Sequence, residues 1–137
     1  MKKTEKEKQV FVKILIVDDS DIMRERLIAM ISEIEGVKVI GQAQNSDEAI
    51  ELVEKLNPDV VILDIRMTGE SGISVLQKIK TKKPAPIVIV FTNYPYPQYR
   101  HICLELGAEY FFDKSTEFHK LPETLKELVH RSDNQMP

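Results

Sequence analysis

Three carboxylates, a hydroxyl and an ammonium stand where short apolar runs end. The run Val12–Val17 closes on Asp18 and Asp19, Val60–Leu63 on Asp64, and Ile87–Phe91 on Thr92; Tyr110–Phe112 is followed by Asp113 and Lys114. Another run, Val37–Ile40, leads into Gly41, Gln42 and Ala43 and brings no charge. Carboxylates gathered at one place repel one another, and burial raises the cost. A hard divalent cation relieves it: Mg2+ takes oxygen ligands, keeps several waters, and binds through a few carboxylates plus phosphate oxygens. A lysine beside such a site is a point charge for a phosphoryl group. A threonine hydroxyl can donate to another phosphoryl oxygen. An ionised carboxylate can itself be the nucleophile, giving an acyl phosphate. Phosphoryl transfer needs little beyond positioning and neutralisation of charge.

These residues can act together only if the fold brings the run ends to one edge. Three of the runs are apolar without alternation, as expected of strands covered on both faces of a parallel sheet. Helical spacing falls between them. Ile22, Met23, Leu27, Met30, Ile31 and Ile34 mark one helix; Ala49, Ile50, Val53 and Leu56 mark a second, capped by Asn45 or Ser46 and stopped at Asn57-Pro58. Ile73, Leu76 and Ile79 mark a third. Tyr99, Ile102, Cys103 and Leu106 mark a fourth, with Gly107 as its stop. Leu121, Leu125, Leu128 and Val129 mark a fifth, with Pro122 in its first turn. The pattern predicts an α/β fold, (βα)5, with right-handed crossovers placing helices on both faces of the sheet. In such sheets, chemistry collects beyond the carboxyl ends of the strands.

The composition fits one domain. The chain has 137 residues, 19 Lys+Arg against 22 Asp+Glu and a net charge of -3, which gives no global electrostatic reason to bind nucleic acid. A single cysteine rules out an internal disulfide. No apolar run approaches the roughly 20 residues that span a bilayer, and the polar start, Met1–Lys8, is not a signal peptide. The expected setting is the cytoplasm. The domain is read as residues 12–131, with 1–11 and 132–137 as short tails. The three histidines, His101, His119 and His130, lack ligand spacing, which argues against zinc.

Taken in order, these segments resemble the receiver domain of two-component response regulators. LIVDDS carries the acidic pair at Asp18 and Asp19; VVILDIRMTGESG matches the acceptor segment, with Asp64 followed by Met67 and Gly72; VIVFT ends on Thr92; GAEYFFDKS holds Lys114 and an aromatic at Phe111. The resemblance implies a flavodoxin-like, doubly wound three-layer sandwich with strand order 2-1-3-4-5. It implies a phosphorylation-controlled switch, not an enzyme acting on other substrates. Asp64 accepts a phosphoryl group from a sensor histidine kinase or phosphotransfer protein. Asp18, Asp19, Asp64 and the backbone carbonyl of Arg66 hold Mg2+, while Thr92 and Lys114 bind phosphoryl oxygens. Thr92 and Phe111 report the change to the face of the fourth helix, fifth strand and fifth helix, the usual target or dimer surface. The added charge of about -1.5 to -2 biases a two-state loop.

Some positions depart from the family pattern. Thr68 stands where proline is usual, and Asn93 where a small residue is usual. Ser115 replaces the proline common after the lysine, so a cis Lys114–Ser115 bond would cost about 2.5–4 kcal/mol. Arg66, Asn93 and Tyr94 crowd positions that tune the lifetime of the phosphoryl group, which predicts slow dephosphorylation. The segment Asn93–Tyr99 holds two prolines and three tyrosines. They either form an aromatic contact surface or lie on the local core.

Three other readings compete. A haloacid-dehalogenase-like phosphatase would use Asp19 within Asp19-Ser20-Asp21, but would leave Asp64 without a task. An excised receiver of a longer DNA-binding regulator fits the same residues. A flavodoxin-like FMN carrier would need an uncharged phosphate loop where Asp18–Asp21 stand.

Overall fold

The computed structural model describes residues 11–67 and 71–135. The chain alternates strand and helix throughout: β1 (Val12–Val17), α1 (Asp21–Ile31), β2 (Val37–Ala43), α2 (Ser46–Leu56), β3 (Val60–Leu63), α3 (Gly72–Ile79), β4 (Ile87–Thr92), α4 (Pro97–Glu105), β5 (Tyr110–Asp113) and α5 (Lys120–Gln135). The five strands form one parallel sheet in the order β2-β1-β3-β4-β5.

The unbroken apolar runs are explained by two cores, one on each side of the sheet. Leu15, Val17, Val61, Leu63, Val88 and Val90 face Ala49 and Val53 of α2, Val75, Leu76 and Ile79 of α3, and Cys103 of α4. Their neighbours Ile14, Ile16, Val60, Ile62, Ile89 and Phe91 face Leu27 and Ile31 of α1 and Leu121, Leu125 and Leu128 of α5. Successive side chains of a strand point to opposite faces, so β1, β3 and β4 are apolar at consecutive positions wherever both faces are covered, from Ile14 to Val17, Val60 to Leu63 and Ile87 to Phe91. This is the three-layer, doubly wound arrangement expected from the sequence.

Local chemistry sets the helix ends. The Ser20 hydroxyl accepts from the Met23 amide at 3.1 Å and starts α1. Asn45 caps α2 through Glu48 N at 2.9 Å, while the Glu48 carboxylate accepts from Gln44 N at 3.0 Å. Asn57 closes α2 in the left-handed region at φ 50°, and Gly107 follows α4 at φ 108°. The prolines delay α4: Tyr96 is its N-cap without a side-chain bond, and Pro97 is its first residue.

Two boundaries differ from the sequence reading. The tail expected from Ser132 is helical through Gln135, because no Gly or Pro interrupts the register set by Leu121–Leu128. β2 runs on to Ala43, held by pairing of Val17 with Ala43. Of the first tail, only Phe11 is described. The Lys114–Ser115 bond is trans; among the described residues the cis peptide is Lys83–Pro84. Thr68 lies outside the described residues.

Candidate functional site

The sheet register decides which strand ends meet. Val17 pairs with Leu63, and Leu63 with Val90. The next residues, Asp18 and Asp64, therefore leave adjacent strands at the same level. Asp64 N donates to Val17 O at 3.0 Å, and Asp18 N to Ala43 O at 3.0 Å, so both residues continue the ladder by one bond. Lys114 N donates to Thr92 O at 2.8 Å and ties the end of β5 to β4.

Asp18, Asp64, Thr92 and Lys114 are buried, while Asp19 is exposed. The Lys114 ammonium sits between two carboxylates, 2.5 Å from Asp18 Oδ2 and 3.0 Å from Asp64 Oδ2. The other oxygens are also engaged. Asp18 Oδ1 accepts from Ser20 N at 2.9 Å, and Asp64 Oδ1 from Arg66 N at 3.2 Å. Asp19 has no such partner among the described residues. One carboxylate oxygen from each of Asp18, Asp19 and Asp64 lies within 4.8 Å of the others. Three hard oxygen donors at that separation, one of them open to water, fit an ion such as Mg2+ that keeps part of its hydration.

Burial lifts the Asp64 carboxyl above its ordinary range, and Lys114 draws it back only part-way. Burial works against the charged form of Lys114 too, but the carboxylates of Asp64 and Asp18 outweigh it and hold the ammonium above its usual value. The lysine therefore stays charged. The Asp64 carboxylate is shielded from much of the surrounding water, and Lys114 and Arg66 N are its partners.

The other predicted residues fall around this centre. Thr92 Oγ1 accepts from Tyr94 N at 3.1 Å, which leaves its O–H as a donor. The Arg66 guanidinium lies 4.3 Å over the Tyr94 ring, so the residues two beyond Asp64 and two beyond Thr92 meet. Asn93 between them is exposed. Phe111 is buried in the core shared with α2, α3 and α4, apart from the carboxylates. Arg100 of α4 caps it, donating from Nη1 to Phe111 O at 3.1 Å. The tyrosines differ in burial. Tyr96 is half exposed, Tyr99 packs on the core, and their rings stand 5.7 Å apart.

The sequence reading named Gly72 only as part of the motif, without its packing role, and did not name Arg24. Gly72 is buried where a Cβ would lie 2.3 Å from Asp64 O and 2.4 Å from Ile65 Cα. Its amide donates to Ile65 O at 3.0 Å. Only a residue without a side chain lets α3 start against the acceptor loop. Arg24 reaches back from α1 to the carbonyl of Asp18 at 2.7 Å. The signal for Gly72 was its place in the motif; for Arg24 it was the i, i+3 spacing from Asp21.

The family model for the response regulator receiver domain matches residues 14–126. The chain belongs to the response regulator receiver family. It is 37% identical over 105 residues to a protein-glutamate methylesterase/protein-glutamine glutaminase of Alkalilimnicola ehrlichii, covering 75% of this chain and 27% of that protein. It is 28% identical over 117 residues to the response regulator GacA of Pseudomonas aeruginosa, covering 85% and 55%. The chain thus spans between about a quarter and about half of these curated relatives. The response regulator domain of Thermotoga maritima CheB superposes with a TM-score of 0.78 at 31% identity, over 93% of this chain and 99% of that one. In a CheX–CheY–BeF3–Mg complex from Borrelia burgdorferi, the matching chain gives 0.79 at 28% identity, over 87% and 90%.

Membership of the receiver family removes the phosphatase and FMN readings. The geometry agrees: Asp21 pairs with Arg24 on α1, while the buried lysine holds Asp18 and Asp64 and leaves Asp19, the nucleophile of the phosphatase reading, exposed. Receiver domains are in general signalling modules without enzymatic activity of their own, and in some relatives an esterase forms a separate part. Among the described residues, no helix is long and apolar enough to cross a membrane.

Proposed function

We propose that this receiver is a phosphorylation-controlled switch with Asp64 as its acceptor. The observation that carries the reading is the Lys114 ammonium bonded to both Asp18 and Asp64 within an acidic triad. The donor is a sensor histidine kinase or phosphotransfer protein bearing a phosphohistidine. An oxygen of the ionised Asp64 attacks phosphorus, the P–N bond breaks, and the imidazole leaves with its electron pair and takes a proton from water. Lys114 is within one side-chain rearrangement of the incoming phosphoryl oxygens, and the Thr92 O–H can donate to another. Asp18, Asp19, Asp64 and the Arg66 carbonyl would hold Mg2+, which supplies charge neutralisation for the equatorial oxygens.

The Arg66–Tyr94 stack, formed by residues two beyond Asp64 and two beyond Thr92, crowds the acceptor together with Asn93, and this supports a long-lived acyl phosphate. When Thr92 turns toward the phosphoryl group, Tyr94 N loses its acceptor. That change can pass to Phe111 and Arg100 and so to the face of α4, β5 and α5, the surface for a target protein or a second copy. A single buried thiol suits a reducing compartment, and the reading places the chain in the cytoplasm.

The test is incubation with acetyl phosphate and Mg2+ followed by intact mass. One phosphoryl increment is expected in the native chain and none in Asp64→Asn. An adduct that persists in Asp64→Asn, or none in the native chain, refutes the assignment.

A further inference from the structure

Arg24 sits on the first turn of α1, yet its side chain is only 12% exposed. Its guanidinium makes three contacts to three segments. Nη1 donates to the backbone carbonyl of Asp18 at 2.7 Å, Nε donates to Gln42 Oε1 at the end of β2 at 2.8 Å, and Nη2 pairs with Asp21. The planar fork matches this three-way fixture; a lysine ammonium could not hold it, because its donors diverge from one point.

The bonded carbonyl belongs to the peptide that joins Asp18 to Asp19. Fixing that peptide plane fixes the direction in which the Asp19 chain departs. It also aligns Ser20 N with Asp18 Oδ1. Asp19 is the carboxylate of the triad that no other group holds. Its placement within 4.8 Å of the Asp18 and Asp64 oxygens depends on the backbone that carries it. Asp21 neutralises the guanidinium, and Gln42 keeps it turned toward the loop.

We infer that Arg24 is a positioning residue for the divalent-cation site, acting through the Asp18–Asp19 peptide with Gln42 and Asp21 as its supports. The inference rests on the reading of Asp18, Asp19 and Asp64 as that site. Arg24 touches neither the cation nor the acceptor. Groups that orient ligands in this indirect way govern metal affinity by about 10- to 100-fold.

Electrostatics alone gives the opposite sign, and this makes the inference testable. Removing a positive charge near a dication should tighten its binding. Loss of positioning should weaken it. The experiment is calorimetric titration with Mg2+ alone, and Mn2+ as a second probe, on the native chain, Arg24→Met, Arg24→Lys and Gln42→Leu. Lys80→Met, at the opposite end of the sheet, serves as a control for general destabilisation. The expected result is Kd raised at least about tenfold in Arg24→Met and severalfold in Arg24→Lys and Gln42→Leu, with Lys80→Met unchanged. Arg24→Lys retains the charge, so its loss of affinity can come only from geometry. If Arg24→Met does not fold, Arg24→Lys and Gln42→Leu carry the test. Native affinity or tighter binding in the Arg24 variants overturns the inference while leaving the site intact. A native chain that binds neither cation overturns the site reading and the inference with it.

Discussion

Substituting Gly72 with alanine should disable the site from outside it. The added Cβ would meet Asp64 O at 2.3 Å and Ile65 Cα at 2.4 Å, both backbone atoms, so no rotamer change relieves the clash. Moving the shorter contact out to 3.0 Å takes a displacement of about 0.7 Å, borne by the start of α3 or by the Asp64–Ile65 backbone. Carried fully by Asp64, that shift would stretch the 3.0 Å bond from Lys114 past hydrogen-bonding range. Overpacking of this kind costs roughly 1–3 kcal/mol, and rigid backbone neighbours put it at the upper end. The gain of alanine over glycine in a helix offsets about 1 kcal/mol. The net loss is about 2 kcal/mol, to be read by urea unfolding followed by far-UV circular dichroism. With a slope of about 1.5–2 kcal/mol per molar, the midpoint should fall by about 1 M. Phosphorylation by acetyl phosphate should slow at least tenfold in buffer without denaturant, because a misplacement near 1 Å is enough to lose that much. A midpoint within roughly 0.2 M of the native chain, together with unchanged phosphorylation, would show that α3 can slide freely and would refute the reasoning.

Four further outcomes are expected. Lys80→Met removes an ammonium bonded to Pro86 O at 2.7 Å and to Glu109 at 2.9–3.0 Å; discounted for the partly exposed Glu109, it should cost about 1–2 kcal/mol in urea and leave phosphorylation unaltered. Arg66→Ala removes the cation over the Tyr94 ring, an interaction worth about 0.5–1 kcal/mol at exposed sites, so dephosphorylation followed by mass should quicken roughly two- to fivefold; an unchanged half-life, or one of seconds in the native chain, counts against crowding by Arg66, Asn93 and Tyr94 as the cause of slow dephosphorylation. Burial pushes the Cys103 thiol up to about 11 from 9.0. The neutral thiol is thus favoured in the folded state, and stability fully present below about pH 9 should be lost toward pH 11, by roughly 2–3 kcal/mol relative to Cys103→Ala; parallel pH profiles for the two proteins would exclude this. Lys114→Met removes a cation that occupies Asp18 and Asp64, so calorimetry should give tighter Mg2+ binding while phosphorylation slows; weaker binding would mean that the lysine builds the site instead of sharing it.

The layers of the fold were legible because the strands announce themselves. β1, β3 and β4 are apolar at consecutive positions, and only a strand covered on both faces needs that. Asp18, Asp64 and Thr92 were legible for the same reason, since each follows directly on such a run, and Lys114 lies two residues beyond the shorter run Tyr110–Phe112. Contacts made across elements were not. Nothing local in Arg66 or Tyr94 says that they stack; the meeting depends on β3 and β4 being neighbours in register. Nothing local set Arg24 apart, because two of its three partners, the Asp18 carbonyl and Gln42, lie at the ends of β1 and β2. The helical end of α5 was missed because Ser132, Asp133 and Asn134 are poor helix formers, and tertiary packing of the preceding turns overrides so weak a preference.

The burial of Lys114 gives the site a logic beyond attraction. Its ammonium takes one oxygen from each of Asp18 and Asp64, and backbone amides take the other two, so the buried part of the site is fully satisfied without a ligand. A site built this way does not depend on metal to fold, unlike one in which bare carboxylates are forced together. The surplus charge is left on Asp19, at the surface, where water offsets it. Asp19 would thus be the first carboxylate open to a cation, and Asp18 and Asp64 would serve as ligands only as Lys114 gives them up. A phosphoryl group on Asp64 would supply the oxygens to which the released ammonium could turn. Metal, lysine and phosphoryl group would then exchange partners within one set of oxygens, with little net change in buried charge. Such an exchange would let a small domain accept a doubly negative group at its interior edge and still keep a stable sheet beneath it.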